Sequence, residues 1–172
     1  MKRVPVNPAD ISGWIIEQLP RGILLNSAAN GVLDTMTIGW GTIGVDWSRR
    51  VFTVYVRESR YTKSLLDAHP EFTLSIPTPQ SDCRKILGYC GTTSGRDVDK
   101  FKDMNLTIVQ GSQVSTPAVL ELPLTIECKI IYKQDQDPKA IAPDILARYY
   151  PTGDFHTAYT GQIVDCYQLV EE

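Results

Sequence analysis

The sequence predicts a mainly β fold: an antiparallel sheet, curled or closed into a small barrel, with short helices at its periphery. Two observations carry this. Several segments are β-branched or alternate apolar and polar residues with a period of two, the mark of half-buried strands. The helical stretches between them are short and do not recur in β-α-β alternation, so nothing asks for a parallel sheet. The 172 residues read as one domain, 1–172, long enough to bury a core without staples. No repeat, low-complexity tract or linker divides them.

Taken in order, a first helix starts at Asn7-Pro8-Ala9-Asp10 and carries Trp14, Ile15 and Leu19. Thr35 to Ile43 reads as a strand, and V-F-T-V-Y-V (Val51 to Val56) as another, β-branched and aromatic throughout. A second helix spans Tyr61 to Ala68 and ends at His69-Pro70. The strand E-F-T-L-S-I-P stops at Pro77. Ser81 or Asp82 caps a third helix running through Leu87, and Asp97 to Met104 forms a fourth. The clearest alternation is L-T-I-E-C-K-I-I-Y-K, with Leu124, Ile126, Cys128, Ile130 and Tyr132 on one face. Thr125, Glu127, Lys129 and Lys133 take the other. Pro143 opens a fifth helix, Asp144 to Tyr149. T-A-Y-T-G-Q-I-V-D-C-Y-Q-L closes the chain as a strand, bent or bulged at Gly161.

A net charge of -3 and a pI near 5.4 argue against nucleic-acid binding, which wants a basic face. No apolar run approaches the roughly 20 residues that cross a bilayer. M-K-R-V-P-V-N-P lacks the apolar core of a secretory signal, so the expected compartment is the cytoplasm. Four cysteines without a C-x-x-C, and only two histidines, predict no metal site. Cys128 and Cys166 read as reduced core thiols. Cys83 and Cys90 fall two turns apart on one helix face, and Cys90, just before Gly-Thr-Thr-Ser-Gly, is either core or a site-facing thiol.

T-M-T-I-G-W-G-T-I-G contains a literal G-x-G-x-x-G at Gly39, Gly41 and Gly44. A dinucleotide turn needs a helix opening within the motif. Here Asp46-Trp47-Ser48 is turn chemistry and a strand follows, so no helix dipole points at a phosphate. Strand alternation instead places Met36, Ile38, Trp40 and Thr42 on a bulky core face, leaving Thr35, Thr37, Gly39, Gly41 and Ile43 on a nearly bare one. Glycine in a strand costs roughly 0.5–1 kcal/mol against alanine. Either a bulge or the close approach of a backbone or flat ligand would explain two of them.

V-R-E-S-R-Y-T-K favours the ligand. Arg57, Arg60 and Lys63, the hydroxyls of Ser59, Tyr61 and Thr62, and free N–H groups at a helix start are what a phosphate monoester needs. Y-C-G-T-T-S-G-R-D-V-D-K-F is a second donor-rich loop, offering Ser94, Gly95, Arg96 and Lys100. His156, after Gly153-Asp154-Phe155, is the one candidate for proton handling near neutral pH.

Together these stretches, with H-T-A-Y-T-G-Q-I-V, resemble the flavin reductase-like, FMN-binding split-barrel family, especially its flavoredoxin-like branch. The match runs in order from about Asn26 to the end. The resemblance implies a six-stranded antiparallel split barrel, a homodimer, and FMN held non-covalently near the subunit interface. It implies that Met36, Thr37, Ile38, Gly39 and Trp40 line the flavin ring. Arg57, Ser59, Arg60, Tyr61, Thr62 and Lys63 would hold the ribityl phosphate. Ser94, Gly95, Arg96 and Lys100 would approach from the second loop, and His156 would act where nicotinamide or acceptor stacks; Cys90, from its place just before that loop, joins the candidate cofactor contacts. Phe155 departs from the family's Gly-Asp-His turn, and Arg50 stands where relatives tend to have proline.

The expected function is an FMN-dependent oxidoreductase taking electrons from NAD(P)H to flavin or another acceptor. A flavoprotein electron carrier without a nicotinamide site is the alternative, its ring covered by Trp40, Tyr89 or Phe155. A non-redox split-barrel domain is the third reading.

Overall fold

In the computed structural model, which describes residues 2–170, a short strand β1 (Lys2–Pro5) leads into helix α1 (Pro8–Gln18). The Asn7 side chain caps α1 by accepting from the Ala9 N–H at 3.3 Å, and Pro8 fits the first turn, where no N–H is needed. Ile15 is buried, while Leu19 falls just past the helix in a 3-10 turn, Leu19–Arg21. Four strands follow: β2 (Ile23–Ala29), β3 (Val32–Ile38), β4 (Gly41–Asp46) and β5 (Arg49–Arg57). Helix α2 (Tyr61–Ala68) precedes β6 (Glu71–Ile76), and α3 (Arg84–Thr92) and α4 (Lys100–Asp103) pack outside the sheet. A small ribbon, β7 (Ile108–Val109) with β8 (Ala118–Val119), leads to the long β9 (Leu124–Asp135). Helix α5 (Pro143–Tyr149) and β10 (His156–Val170) complete the chain. Among the described residues no helix is long and apolar enough to cross a membrane.

All pairings are antiparallel, in the order β3-β2-β6-β9-β10-β5-β4, with β1 added to β10. The described sheet therefore has eight strands rather than six, and hydrogen bonds do not close it. Its two ends, β3 and β4, are nevertheless consecutive in the chain, joined only by Gly39 and Trp40. Three peptide steps span at most about 11 Å. The sheet must curl until its ends nearly meet, which makes it a split barrel.

The inner face is packed by Ile23, Leu25, Met36, Ile38, Phe52, Val54, Phe72, Leu74 and Ile126. A second cluster, including Leu24, Leu87, Cys90, Phe101 and Leu122, lies between the outer face and helices α3 and α4. That second layer corrects two expectations. Strand β9 is not half-buried: from Leu124 to Cys128 every residue is buried, because the segment around Ser112–Thr116 folds over its outer face. Glu127, expected in solvent, is fully buried and accepts from the N–H groups of Ser112, Gln113 and Val114 and from the Tyr167 hydroxyl. Four donors around one carboxylate compensate its lost hydration.

The Thr35–Ile43 strand is also broken. It changes partner at Gly39-Trp40, so Trp40 leaves the core face and stands 41% exposed. The hairpin after β4 turns on Trp47 and Ser48, both with positive φ, the geometry of a two-residue strand-to-strand turn and not of a phosphate-binding helix start.

The register between β10 and β9 slips at Thr160/Gly161, as a bulge there requires. A Cβ on Gly161 would lie 2.7 Å from both the Cys128 Cβ and the Phe72 ring, so Gly161→Ala overpacks the core. We expect a loss of about 1–3 kcal/mol in urea unfolding. Gly44→Ala, where nothing lies within 4 Å, should be near neutral. Equal midpoints for the two variants would refute this packing account.

Candidate functional site

A cleft of about 180 Å³ opens where the chain crosses the split. Met36, Thr37, Ile38, Gly39 and Trp40 form one side; Tyr55, Arg57, Arg60 and His156 form the other. The antiparallel register sets His156 opposite Arg57. Past Met36 and Arg60 the trough continues into a second cleft of about 150 Å³, which Ser59, Tyr61, Thr62 and Ser94 also line. In the other direction, across Gly39, Trp40 and Tyr55, it widens into a basin of about 670 Å³. Among the described residues no charged side chain lines the basin; apart from Gln136 its walls are mainly apolar and aromatic residues such as Ile16, Leu19, Ile141, Ile145 and Tyr149.

The corner between β5 and α2 is stitched to the turn before β10. Arg57 donates to the Asp154 carbonyl at 2.9 Å and the Tyr149 carbonyl at 3.0 Å, with its guanidinium over the Tyr150 ring. Asp154, at φ 59, turns its carboxylate onto the Ser59 N–H (2.9 Å) and Oγ (2.8 Å). Ser59 thus lines the second cleft with its donors already used. Arg60 occupies the N-cap of α2, and its side chain cannot accept a hydrogen bond. The N–H groups of Tyr61 and Thr62 find no acceptor among the described residues, and the Arg60 guanidinium has no ion-pair partner there. Arg96 braces this corner, donating to the Ser59 carbonyl at 2.9 Å and lying over the Tyr61 ring. A helix start without an accepting cap, beside two guanidinium groups, is a receptor for an anion.

Lys63 corrects its expected place. It pairs with Asp67 at 2.8 Å and lines neither cleft, because one turn into α2 its side chain reaches along the helix instead of across the helix start. Helix α3 runs on to Thr92, so the second loop is shorter than predicted, and α4 begins only at Lys100. Ser94, Gly95, Arg96 and Lys100 do line the second cleft. Lys100 is 3% exposed, bonded to the Thr35 carbonyl at 2.6 Å and paired with Asp34 at 3.2 Å. It forms a neutral pair with Asp34 in the floor. Gly95 lies so close over the Asp34 carboxylate that a Cβ would collide with it. Cys90 also stands corrected: it packs in the second core cluster, away from both clefts, and burial pushes its thiol up to about 11.

The bare strand face is not open either. Thr35 is fully buried, and Thr37 donates to the Leu87 carbonyl at 2.7 Å beneath α3. A Cβ on Gly41 would meet the Phe52 ring at 2.7 Å, so that glycine serves packing. Of the residues on that face, only Gly39 borders both the cleft and the basin. Of the three aromatic covers considered, Trp40 lies at the cleft, its ring 5.0 Å from that of His156. Tyr89 bonds Asp103, and Phe155 stacks on Tyr150 at 4.9 Å, so the residue that interrupts Gly-Asp-His turns away and leaves His156 at the cleft.

His156 is buried, and its Nδ1 lies 2.7 Å from the Tyr150 hydroxyl. Burial and then the Arg57 guanidinium lower its pKa to about 4, so it does not titrate near neutrality as expected. Sequence reasoning missed Tyr55, Asp34, Gln136 and Tyr150. Tyr55 had a signal, since it shares a strand face with Arg57, and so did Asp34, two residues before Met36 on β3; Gln136 and Tyr150 reach the site from outside the stretches singled out in the sequence.

The chain matches the family model described as flavin reductase like domain over residues 16–171. Two curated relatives, from Archaeoglobus fulgidus (28% identical) and Pyrococcus abyssi (26%), are uncharacterized proteins. Their matches cover 76% and 67% of this chain, which spans 63% and 64% of theirs. Among solved structures, flavoredoxin of Desulfovibrio vulgaris superposes with a TM-score of 0.67 at 27% identity, over 88% of this chain and 69% of that one. An FMN-binding domain of a flavin reductases-like enzyme from Shewanella baltica gives 0.71 at 15% identity, over 97% and 77%, a likeness of fold. With the family model covering nearly the whole chain, this protein belongs to the flavin reductase-like family.

Proposed function

We propose that the chain is an FMN-dependent oxidoreductase that takes electrons from NAD(P)H and passes them to a free flavin or another acceptor. One observation carries the reading: the accessible trough runs from an anion-receiving helix start at Arg60 to the backbone of Gly39 at the split. The residues fit a planar ring with a phosphorylated tail. Arg60, Arg96, Thr62 and the free N–H groups of α2 suit the phosphate, and hydrogen bonds to a charged group contribute about 1.5–3 kcal/mol each. Met36 to Trp40 suit the ring edge, and Arg57 and Lys100 hold the surrounding loops. FMN, when bound, would supply the hydride and electron chemistry, while the protein orients it and controls access.

The working form in this reading is a homodimer with FMN near the subunit interface. Exposed Val45 on β4, Trp47 in the turn that follows it, and Ile131 and Tyr132 on β9 offer apolar area for a second copy. Free, buried cysteines fit a reducing cytoplasm. The electron-carrier reading is favoured by a separate observation: the basin presents no cation for a nicotinamide dinucleotide's phosphates.

Arg60 is exposed, so its loss should leave the fold intact. Arg60→Ala should weaken FMN about tenfold or more while changing riboflavin, which lacks the phosphate, little. Fluorescence titration with both ligands measures this, and equal losses would remove the phosphate role. The FMN-loaded protein should absorb in the visible and bleach anaerobically with NADH or NADPH. Bleaching by dithionite alone would leave the carrier reading in place.

A further inference from the structure

Behind His156 stands a hydrogen-bond chain whose donors and acceptors can be assigned from chemistry alone. The Gln136 amide oxygen receives the backbone N–H of His156 at 3.2 Å, and a backbone N–H can only donate. That contact fixes which end of the amide faces the pair. The Tyr150 hydroxyl lies 2.8 Å from the same oxygen, so its single hydrogen must point there. The tyrosine oxygen is then left as an acceptor toward His156 Nδ1, 2.7 Å away, and Nδ1 must bring the proton. The second nitrogen, Nε2, makes no hydrogen bond among the described residues. It is absent from the chain's fully buried unpartnered atoms, and the ring lines the cleft.

We infer that Gln136 and Tyr150 are positioning residues that lock His156 as the neutral Nδ1–H tautomer, so that Nε2 offers the cleft a lone pair and recognises the bound molecule through an N–H or O–H donor. The inference deepens the flavin reading and rests on it only for the identity of that donor. Three surroundings keep the ring neutral. Burial acts first and the Arg57 guanidinium next; the Asp154 carboxylate opposes them, and Arg60 adds a smaller push against a second proton. At neutral pH, then, His156 cannot act as a proton donor from Nε2. It selects instead for a ligand edge that donates, such as the imide N–H or ribityl hydroxyls of a flavin.

The test is the nitrogen spectrum of uniformly ¹⁵N-labelled protein, in which protonated and unprotonated ring nitrogens are distinct. In the free wild type, Nδ1 should be the protonated nitrogen at pH 7, and the ring should titrate at about pH 4. Since the unfolded chain takes up this proton first as pH falls, the histidine removes stability between about 6.5 and 4. Gln136→Leu does not touch the ring, yet it frees the tyrosine hydrogen to turn onto Nδ1 and should move the ring proton to Nε2. Gln136→Glu retains an acceptor and should keep Nδ1–H, a contrast that a merely structural role would not produce. Wild-type Nε2–H, or an unchanged tautomer in Gln136→Leu, overturns the inference. Adding FMN should shift the Nε2 resonance, and Gln136→Leu should bind FMN about fivefold more weakly, the value of one neutral hydrogen bond. FMN that binds without moving Nε2 overturns the recognition role. Failure of FMN to bind at all sinks the flavin reading instead, while the tautomer remains readable in the free protein.

Discussion

The two-residue link between β3 and β4 is the constraint on which the rest of the structure depends. These strands lie at opposite ends of the hydrogen-bonded order, yet Gly39 and Trp40 are all that joins them. A sheet with its natural twist does not bring its edges that close unless it rolls up, and here covalent geometry compels it. The roll stops short of closure, so the backbone between Ile38 and Gly41 crosses a gap without ladder partners. That gap is the cleft. Trp40 at its rim is exposed because it belongs to neither edge strand, while Ile38 and Met36, one and three residues before the link, stay in the core.

Around the gap, polar groups divide into those already engaged and those left available, and this division shapes the chemistry. Asp154 supplies an internal anion to Ser59, Arg57 is spent on two carbonyls, and Lys100 is matched by Asp34. These groups are part of the frame. What remains is Arg60 at the helix start with the first N–H groups of α2, and Nε2 of His156. A buried site whose framework charges are paired can present a few unpaired donors and acceptors at defined positions without losing its shape.

Much of the fold was legible because it rests on short-range signals. Asn7 before Pro8 marked the start of α1, Pro143 opened α5, and the glycine in the last strand marked the bulge at Gly161. The errors share one physical source: coverage by residues far away in the chain. Alternation in β9 predicted a wet face, but that face is dry because a segment near Ser112 lies on it, and Glu127 survives there only through donors from that segment and from Tyr167. The bare face of β3 looked open because α3, which covers it, runs to Thr92, five residues past the expected end at Leu87. The cationic corner was found by residue type, yet type alone does not tell a free arginine from one that clamps a loop. Arg57 and Arg60 are three residues apart and differ entirely in this respect.

Along the trough the electrostatic character changes in order: guanidinium groups and free amides, then a neutral imidazole, then a basin without charge. Such a gradient orients an amphiphilic ligand without any large contact area, because only one alignment places an anion at the first position and an apolar body at the last. It also locates the question of function. The anionic end and the split define what is held, and the uncharged basin defines what approaches it. A dinucleotide donor must find cations for its phosphates outside the basin, on a second copy of the chain or beyond the rim. A neutral acceptor needs none. The chemistry at the split can therefore be common to a reductase and a carrier, and the difference between them lies in the surface that meets the basin.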